Sequence, residues 1–189
     1  MDYDKEVVAT FRRQESNELA ASVQDIKQIL LKNINENPGI WYRELLRLTG
    51  ISNGNLAHHL RALEESSRIR VLREDKLGKT RYYALDITDS ESNIIGFLRN
   101  NTAKQIMMLI LDQEFCTFSE IVEWTAKSPS TVSWHLKRLT AGGIVVARLS
   151  DSTLYSLADS RGVLEILSKY KRSFLDKAAN SYEEIIDGL

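Results

Sequence analysis

The 189-residue sequence has one cysteine, two prolines, nine glycines and no apolar run longer than Ile106–Leu111. The single thiol, Cys116, excludes an internal disulfide and fits a reducing compartment. The longest apolar run is far short of the roughly 20 residues that a membrane-spanning helix needs. The first residues, "MDYDKEVVATFRR", lack the apolar core of a signal peptide, so we expect a cytoplasmic protein. Few glycines and prolines leave little chain for loops, so helices should dominate.

Catalytic and metal-binding patterns are also missing from the sequence. It has no glycine-rich phosphate loop, no plausible Ser-His-acid set and no carboxylate pair in an evident cleft, so we expect neither an enzyme nor a cofactor. His58, His59 and His135 all fall inside one repeated segment, and Cys116 has no second thiol. A metal site is therefore not expected. Contents of 43% hydrophobic and 27% charged residues are typical of a folded globular protein.

The charge is unevenly distributed along the chain. The net charge of −1 hides a positive stretch, because residues 26–85 hold 11 Lys/Arg against 6 Asp/Glu. Residues 102–158 hold 5 of each sign. A basic first half and a neutral second half predict that an acidic partner such as nucleic acid contacts the first half.

One helical segment occurs twice. "GNLAHHLRALEES", residues 54–66, returns as "STVSWHLKRLTAG", residues 130–142. The neighbouring segments align as well: "KQILLKN" with "KQIMMLI", and "IWYRELLRLTGIS" with "CTFSEIVEWTAKS". After each helix comes a pair of strand-like segments around a polar loop. Two copies in register predict a tandem domain repeat.

The order of elements in each copy is that of a winged helix-turn-helix domain. We predict a mainly α fold with small β-hairpin wings. Gly50 should end one helix, Ser52 and Ser128 should cap the next, and Pro129 should take the first helical position. The expected divisions are an N-terminal helix or arm (1–25), domain 1 (26–88), a helical connector (89–101), domain 2 (102–158) and a long C-terminal amphipathic helix (159–189).

The repeated helix should carry DNA contacts on its polar face. Leu56, Leu60 and Leu63 stand at i, i+4 and i+7 and form one apolar face. Small, amide, hydroxyl and cationic side chains on the opposite face and at the helix start suit base edges and phosphates in a major groove. The candidate DNA contacts are Ser52, Asn53, Asn55, His58 and Arg61 in the first copy, and Ser130, Thr131, Ser133, Trp134, Lys137 and Arg138 in the second.

The first hairpin is rich in cations. It carries Arg68, Arg70, Arg73, Lys76, Lys79 and Arg81 against Glu74 and Asp75. This pattern fits either a solvated charged loop or a wing that lies on the phosphate backbone. For the second interpretation we name Arg73, Lys76, Lys79 and Arg81 as DNA contacts. The second hairpin offers only Arg148, opposed by Asp151.

The segments "SNGNLAHHLRALEESSRI" and "SPSTVSWHLKRLTAGGIV" resemble the DNA-recognition helix and following strand of the ArsR-type winged helix-turn-helix family. The tandem arrangement is similar to that of archaeal transcriptional regulators with two such domains. The resemblance implies binding of double-stranded DNA and control of transcription. Many family members sense metals through cysteines on the helix before the turn, but here that helix reads "YRELLRLTG" and "FSEIVEWTA" without cysteine or histidine.

Several alternatives stay open at this point. His59 and His135 either anchor the helix through a local hydrogen bond or contact phosphate. Trp134 either stacks on sugar-phosphate or packs against the other domain or another protein. An apolar stripe from Leu164 to Leu189 favours a homodimer but also fits packing on domain 2. The rival function is a protein- or RNA-binding winged-helix pair that serves as an assembly module. No residue identifies a small-molecule effector.

Overall fold

The computed structural model describes residues 25–74, 79–149, 152–171 and 173–174, without the side chains of Glu74 and Lys79. The predicted N-terminal helix or arm therefore lies, except for its last residue, outside the described residues. The chain divides into two compact units, residues 1–86 and 87–189, and each is described by itself.

The first unit follows the predicted order of elements. A helix over residues 25–36 (α1) is followed by β1 (Ile40–Trp41), α2 (Tyr42–Thr49), α3 (Asn53–Glu65), β2 (Arg70–Glu74) and β3 (Lys79–Tyr83). The three strands pair antiparallel in the order β1-β3-β2. Gly50 ends α2 in the left-handed region, with φ of 65°, which a glycine adopts without a Cβ clash. The sharp turn this produces starts α3 in a new direction.

A single apolar cluster holds the first unit together. α1 supplies Leu30 and Ile34, and α3 supplies Leu56, Leu60 and Leu63, all of them buried. The spacing of the leucines, about one helical turn, places them on one side of α3. Because this side is fixed against the core, the rotation of α3 about its axis is fixed too.

The second unit repeats this order between two added helices. It contains α4 (Asp89–Leu98), α5 (Asn101–Gln113), β4 (Cys116–Thr117), α6 (Phe118–Thr125), α7 (Pro129–Ala141), β5 (Val145–Leu149), β6 (Thr153–Leu157) and α8 (Ser160–Lys169). Its strands pair antiparallel in the order β4-β6-β5, the same topology as in the first unit. The predicted mainly α architecture with small hairpins is thus confirmed for the described residues.

Local capping chemistry sets the helix starts in the second unit. Ser128 accepts a hydrogen bond from the backbone N–H of Thr131, and Pro129 occupies the first turn, as predicted. Asn100 caps α5 through Ala103. In the first unit Ser52 occupies the N-cap position of α3, but its side chain makes no capping hydrogen bond. Ser52 therefore stands at the predicted cap position but does not cap α3 through its side chain.

The helix predicted as a connector lies within the second unit. α4 buries Ile94, Ile95 and Leu98, the face expected from the sequence. The side chain of Asn93 donates a hydrogen bond of 2.7 Å to the carbonyl of Gly142 at the end of α7. α4 therefore supports α7 rather than only joining two domains.

The C-terminal helix is shorter than predicted within the described residues. α8 ends at Lys169 and buries Val163 and Ile166, whereas Leu164 is 57% exposed. Most of the predicted stripe to Leu189 lies outside the described residues, and one long helix is not shown. Among the described helices, none is long and apolar enough to cross a membrane.

Candidate nucleic-acid interface

The outward face of α3 is exposed as the sequence pattern predicts. Asn55, His58 and Arg61 lie in solvent, opposite the buried leucines. Ser52 and Asn53 at the helix start are exposed as well. Gly54 lies between these residues, and a Cβ added there would have nothing within 4 Å. The first turn of α3 is consequently an open surface with amide, hydroxyl and backbone groups.

The start of α3 is held by a residue that the sequence analysis did not single out. The hydroxyl of Tyr42, the first residue of α2, donates toward the backbone oxygen of Asn53 at 2.7 Å and toward Asn53 Oδ1 at 2.8 Å. The Asn53 side chain is thus partly engaged inside the domain. The signal in the sequence was the pairing of Tyr42 with Phe118 in the second copy, because phenylalanine cannot make this bond.

The repeated histidines are buried on the inner side of their helices. Burial is the main cause that lowers the pKa of His59, with smaller contributions from His58 and Lys27. Burial also lowers the pKa of His135, aided by Arg138. This agrees with an anchoring role, although the buried Nδ1 of His59 has no hydrogen-bond partner among the described residues. The local hydrogen bond predicted for the anchoring role is therefore not seen at Nδ1.

The structure corrects the prediction for Arg81. This side chain is only 5% exposed and therefore does not form part of an open cationic wing. Its Nη1 donates to the carbonyl of Gly39 at 3.1 Å, and its guanidinium lies 4.8 Å from the ring centre of Trp41. Arg81 pairs with Trp41 across β1 and β3, so cross-strand packing explains its burial.

Arg73 is exposed, but its charge is compensated. Its two terminal nitrogens each donate to one carboxylate oxygen of Glu64 at 2.7 Å, in a bidentate pair between β2 and α3. The hydrogen bond from Arg73 holds the pKa of Glu64 below its ordinary value. Nothing in the local sequence marked this partner, because the two residues are nine positions apart.

Of the four remaining cations of the wing, two have described side chains and two do not. Arg68 is exposed, and Arg70 lies with its guanidinium 5.7 Å from the ring centre of Tyr83. Lys76 and the side chain of Lys79 lie outside the described residues. Among the described wing side chains, Arg68 and Arg73 are the exposed cations, so this part of the wing is less open than six cations implied.

The second recognition helix, α7, presents a different outward surface. Ser130, Ser133 and Lys137 are exposed, and Thr131 is half-buried. The Ser128 hydroxyl lies 3.0 Å from that of Ser130 and 2.8 Å from that of Thr131. The hydroxyl groups at the start of α7 are therefore engaged with one another around the cap.

Trp134 lies in a stack of side chains at the middle of α7. It is 49% exposed, and the guanidinium of Arg138 lies 4.8 Å from its ring centre. Arg138 also lies 6.0 Å from the ring centre of Phe97 on α4. The stack extends the support that α4 gives to α7. Both predicted contacts, Trp134 and Arg138, are thus partly engaged within the unit.

Metal ligands are not grouped in the described part of the chain: no set of three or more His, Cys, Asp or Glu residues could hold an ion there. Cys116 is a buried free thiol, and burial is the largest cause that raises its pKa. It therefore remains neutral near pH 7.

Comparison with known families gives two matches. Residues 24–95 match a family model described as an N-terminal HTH domain, and residues 100–146 match that of the bacterial regulatory protein, arsR family. The chain therefore carries two helix-turn-helix domains in tandem, and the second is similar to the arsR family. The resemblance to two-domain ArsR-type winged helix-turn-helix proteins is confirmed.

Comparison with individual proteins adds little. A search of the curated proteins finds no match. Among solved structures, the chain is similar to one in the crystal structure of the endosomal complex ESCRT-II (VPS22/VPS25/VPS36), at 12% identity and a TM-score of 0.32. The match covers 76% of this chain and 65% of that chain. A likeness this low carries no argument about function.

Proposed function

We propose that the chain is a sequence-specific, double-stranded DNA-binding transcription regulator, with α3 as its main DNA-contacting helix. The observation that carries the proposal is the exposed face of Asn55, His58 and Arg61 opposite the buried leucines. Amide and guanidinium groups can each make two hydrogen bonds to a base edge in the major groove. The open position at Gly54 lets the helix start approach the DNA backbone closely.

The surplus of positive charge in residues 26–85 supports the same assignment. These residues hold 11 Lys/Arg against 6 Asp/Glu. Each phosphate that they neutralise releases condensed counterions, so affinity should fall steeply as salt rises. Exposed cations beside α3, such as Arg68, provide contacts to phosphates that position the helix without specifying sequence.

The test is selection of bound duplexes from random DNA, followed by anisotropy titrations of the full chain. Asn55→Ala and Arg61→Ala should lower affinity for the selected duplex and relax the preference at particular base pairs. Lys32→Ala is the matched control, because it removes an exposed cation from α1 of the same unit. Absence of duplex binding at about 50 mM salt, where phosphate contacts are strong, contradicts the proposal. Equal binding of single-stranded RNA favours the RNA alternative.

A second candidate role, protein binding, is favoured by the surface of the second unit. Trp134 on α7 and Leu149 on β5 are exposed by 49% and 89%, and residues 102–158 carry no net charge. Exposed apolar side chains on a neutral surface are typical of protein contacts. Under this proposal the second unit organises an assembly while the first binds DNA.

Homodimerisation through the C-terminal segment remains a further proposal. α8 buries Val163 and Ile166 within the second unit and leaves Leu164 exposed for a partner. A chain truncated after Phe174 keeps the described packing and removes the rest of the predicted stripe. It should have the monomer mass in solution if that stripe forms the dimer contact. A full-length protein that is already monomeric contradicts the proposal.

A further inference from the structure

The second unit contains a cavity of about 390 Å³ beside α5, β4 and α6. Cavities that hold small molecules are typically about 300–1,000 Å³. The lining residues used below are Leu109, Phe115, Cys116, Glu120, Glu123 and Trp124. They all belong to one unit, so the cavity does not depend on how the two units are arranged.

Two aromatic side chains form exposed walls of this cavity. Trp124 is 64% exposed, and Phe115 is 48% exposed. Large aromatic surfaces in water are unfavourable unless something covers them. The π-faces of such rings also attract cations, with tryptophan the most effective. The walls therefore suit a ligand that is both apolar and positively charged.

The charged side chains of the lining are both acidic, and Gln113 adds a neutral amide. Glu120 accepts hydrogen bonds at Oε2 from the backbone N–H and the hydroxyl of Thr117, and these bonds lower its pKa. Its Oε1 takes no hydrogen bond from any described residue. Glu123 adds a second, exposed carboxylate, and the cavity lining includes no Lys, Arg or His. Since the Cys116 thiol stays neutral, the cavity carries negative charge only.

The first copy of the repeat keeps Glu44 at the position of Glu120 but lacks the other features at the aligned positions. Trp124 and Glu123 correspond to Leu48 and Arg47 in "IWYRELLRLTGIS". Leu109 corresponds to Lys32, and Phe115, next to Cys116, corresponds to Gly39. The sibling domain has the same fold with neither the aromatic walls nor the uniform negative charge. The lining is therefore not a requirement of the winged fold.

We propose that this cavity binds a lipophilic organic cation, such as an aromatic amine or quaternary ammonium compound. The aromatic walls cover the apolar part of the ligand, and the cationic centre lies against the ring faces near Glu120 and Glu123. The proposal concerns the second unit alone and does not depend on DNA binding.

The test is a calorimetric titration of the full chain with benzyltrimethylammonium. We expect saturable binding at one site per chain, and at least tenfold weaker binding of the neutral isostere neopentylbenzene and of benzenesulfonate. Trp124→Leu and Glu123→Arg, which install the residues of the first copy, should each weaken binding at least tenfold. Glu165→Arg, at an exposed position of α8 that pairs with Arg161, makes the same charge change outside the cavity and should have little effect on binding.

Nuclear magnetic resonance provides a second readout that does not depend on the variants. In the wild-type chain, benzyltrimethylammonium should shift the indole N–H signal that disappears in Trp124→Leu, and leave those of Trp41 and Trp134 in place. Because Trp124 and Glu123 are exposed, their variants should keep the wild-type unfolding temperature. The proposal is wrong if no saturable binding occurs, if the neutral isostere binds equally well, or if the Trp124 signal does not move.

Discussion

The two units share one topology, but they hold the start of the recognition helix differently. In the first unit the Tyr42 hydroxyl reaches across from α2 to the backbone and side chain of Asn53. In the second unit Phe118 replaces this tyrosine, and the start of α7 depends on the Ser128 cap and Pro129. The first arrangement couples two helices, whereas the second is local to α7.

At the C-terminal ends of α3 and α7 the difference is reversed: the contact is local in the first unit and reaches another helix in the second. Ser66, after α3, bonds back to the Ala62 carbonyl of its own helix. At the aligned position, Gly142 lies beneath Phe97, and a Cβ there would come within 2.6 Å of that ring. Asn93 donates to the Gly142 carbonyl as well. The end of α7 is thus tied to α4, whereas the Ser66 hydroxyl after α3 bonds only to its own helix.

The two copies of one fold thus differ in the use of their helix surfaces. One surface is left open for contacts with a partner, and the other positions helices within its own unit. The first unit keeps an open polar surface on α3, within a stretch of net positive charge. In the second unit the aromatic side chains of Trp134 and Phe97 contact Arg138 of the same unit. We therefore expect substitutions in equivalent positions of the two units to have unequal effects, as the following predictions state.

The largest expected difference is between Arg61→Ala and Lys137→Ala. Arg61 is exposed on α3, where a good contact to a base contributes about 1–3 kcal/mol. Lys137, at the aligned position of α7, should contribute less if the second unit mainly organises the assembly. Matched anisotropy titrations at one salt concentration measure both. A larger loss for Lys137→Ala would show that α7 is the main DNA-contacting helix.

The second-largest expected effect is on stability, and it comes from backbone strain just after α3 and α7. Ser67 and Gly143 both adopt the left-handed region, with φ of 51° and 69°. Because only glycine does so without a Cβ clash, Ser67→Gly should stabilise the first unit by about 1 kcal/mol and Gly143→Ser should destabilise the second similarly.

The caps of α2 and α6 provide a reversed control for this experiment. There the first unit has Gly50 and the second has Ala126, with φ of 65° and 51°. Gly50→Ala should therefore destabilise and Ala126→Gly should stabilise, each visible in urea unfolding. A loss of stability in Ser67→Gly would contradict the strain argument.

A smaller effect is expected from the ion pair between the wing and α3. Glu64→Gln should release Arg73 from its bidentate partner and leave it free for phosphate. We expect a small gain in affinity, because an exposed charge pair is weak, and a steeper salt dependence. The control Glu65→Gln removes an exposed acid one position further along α3. Equal gains in the two variants would attribute the effect to net charge alone.

The smallest expected effect is the pH dependence of stability. Burial lowers the pKa of His59 and His135 below 6.5 in the folded chain. The unfolded state therefore takes up protons first, so their contribution is complete above about pH 6.5 and is lost as pH falls below it. His59→Gln and His135→Gln should each flatten the decline of the urea midpoint between pH 7.5 and 5.5. Unchanged slopes would contradict this assignment.

Features that depend on neighbouring residues alone could be predicted from the sequence. The spacing of Leu56, Leu60 and Leu63 specified which side of α3 is buried, and hence that Asn55 and Arg61 are exposed. The Ser128–Pro129 pair specified where α7 begins. These features were predictable because helical periodicity and capping depend only on residues within a few positions of one another.

Tertiary structure alone decided which charged side chains remain available. Arg81 is buried because its strand pairs with Trp41, 40 positions earlier, and Arg73 is neutralised because β2 brings it to Glu64 on α3. The cavity walls of Phe115 and Trp124 likewise come together only when β4 and α6 pack beside α5. A linear pattern counts cations and aromatics, but their exposure depends on partners that chain folding brings from distant positions.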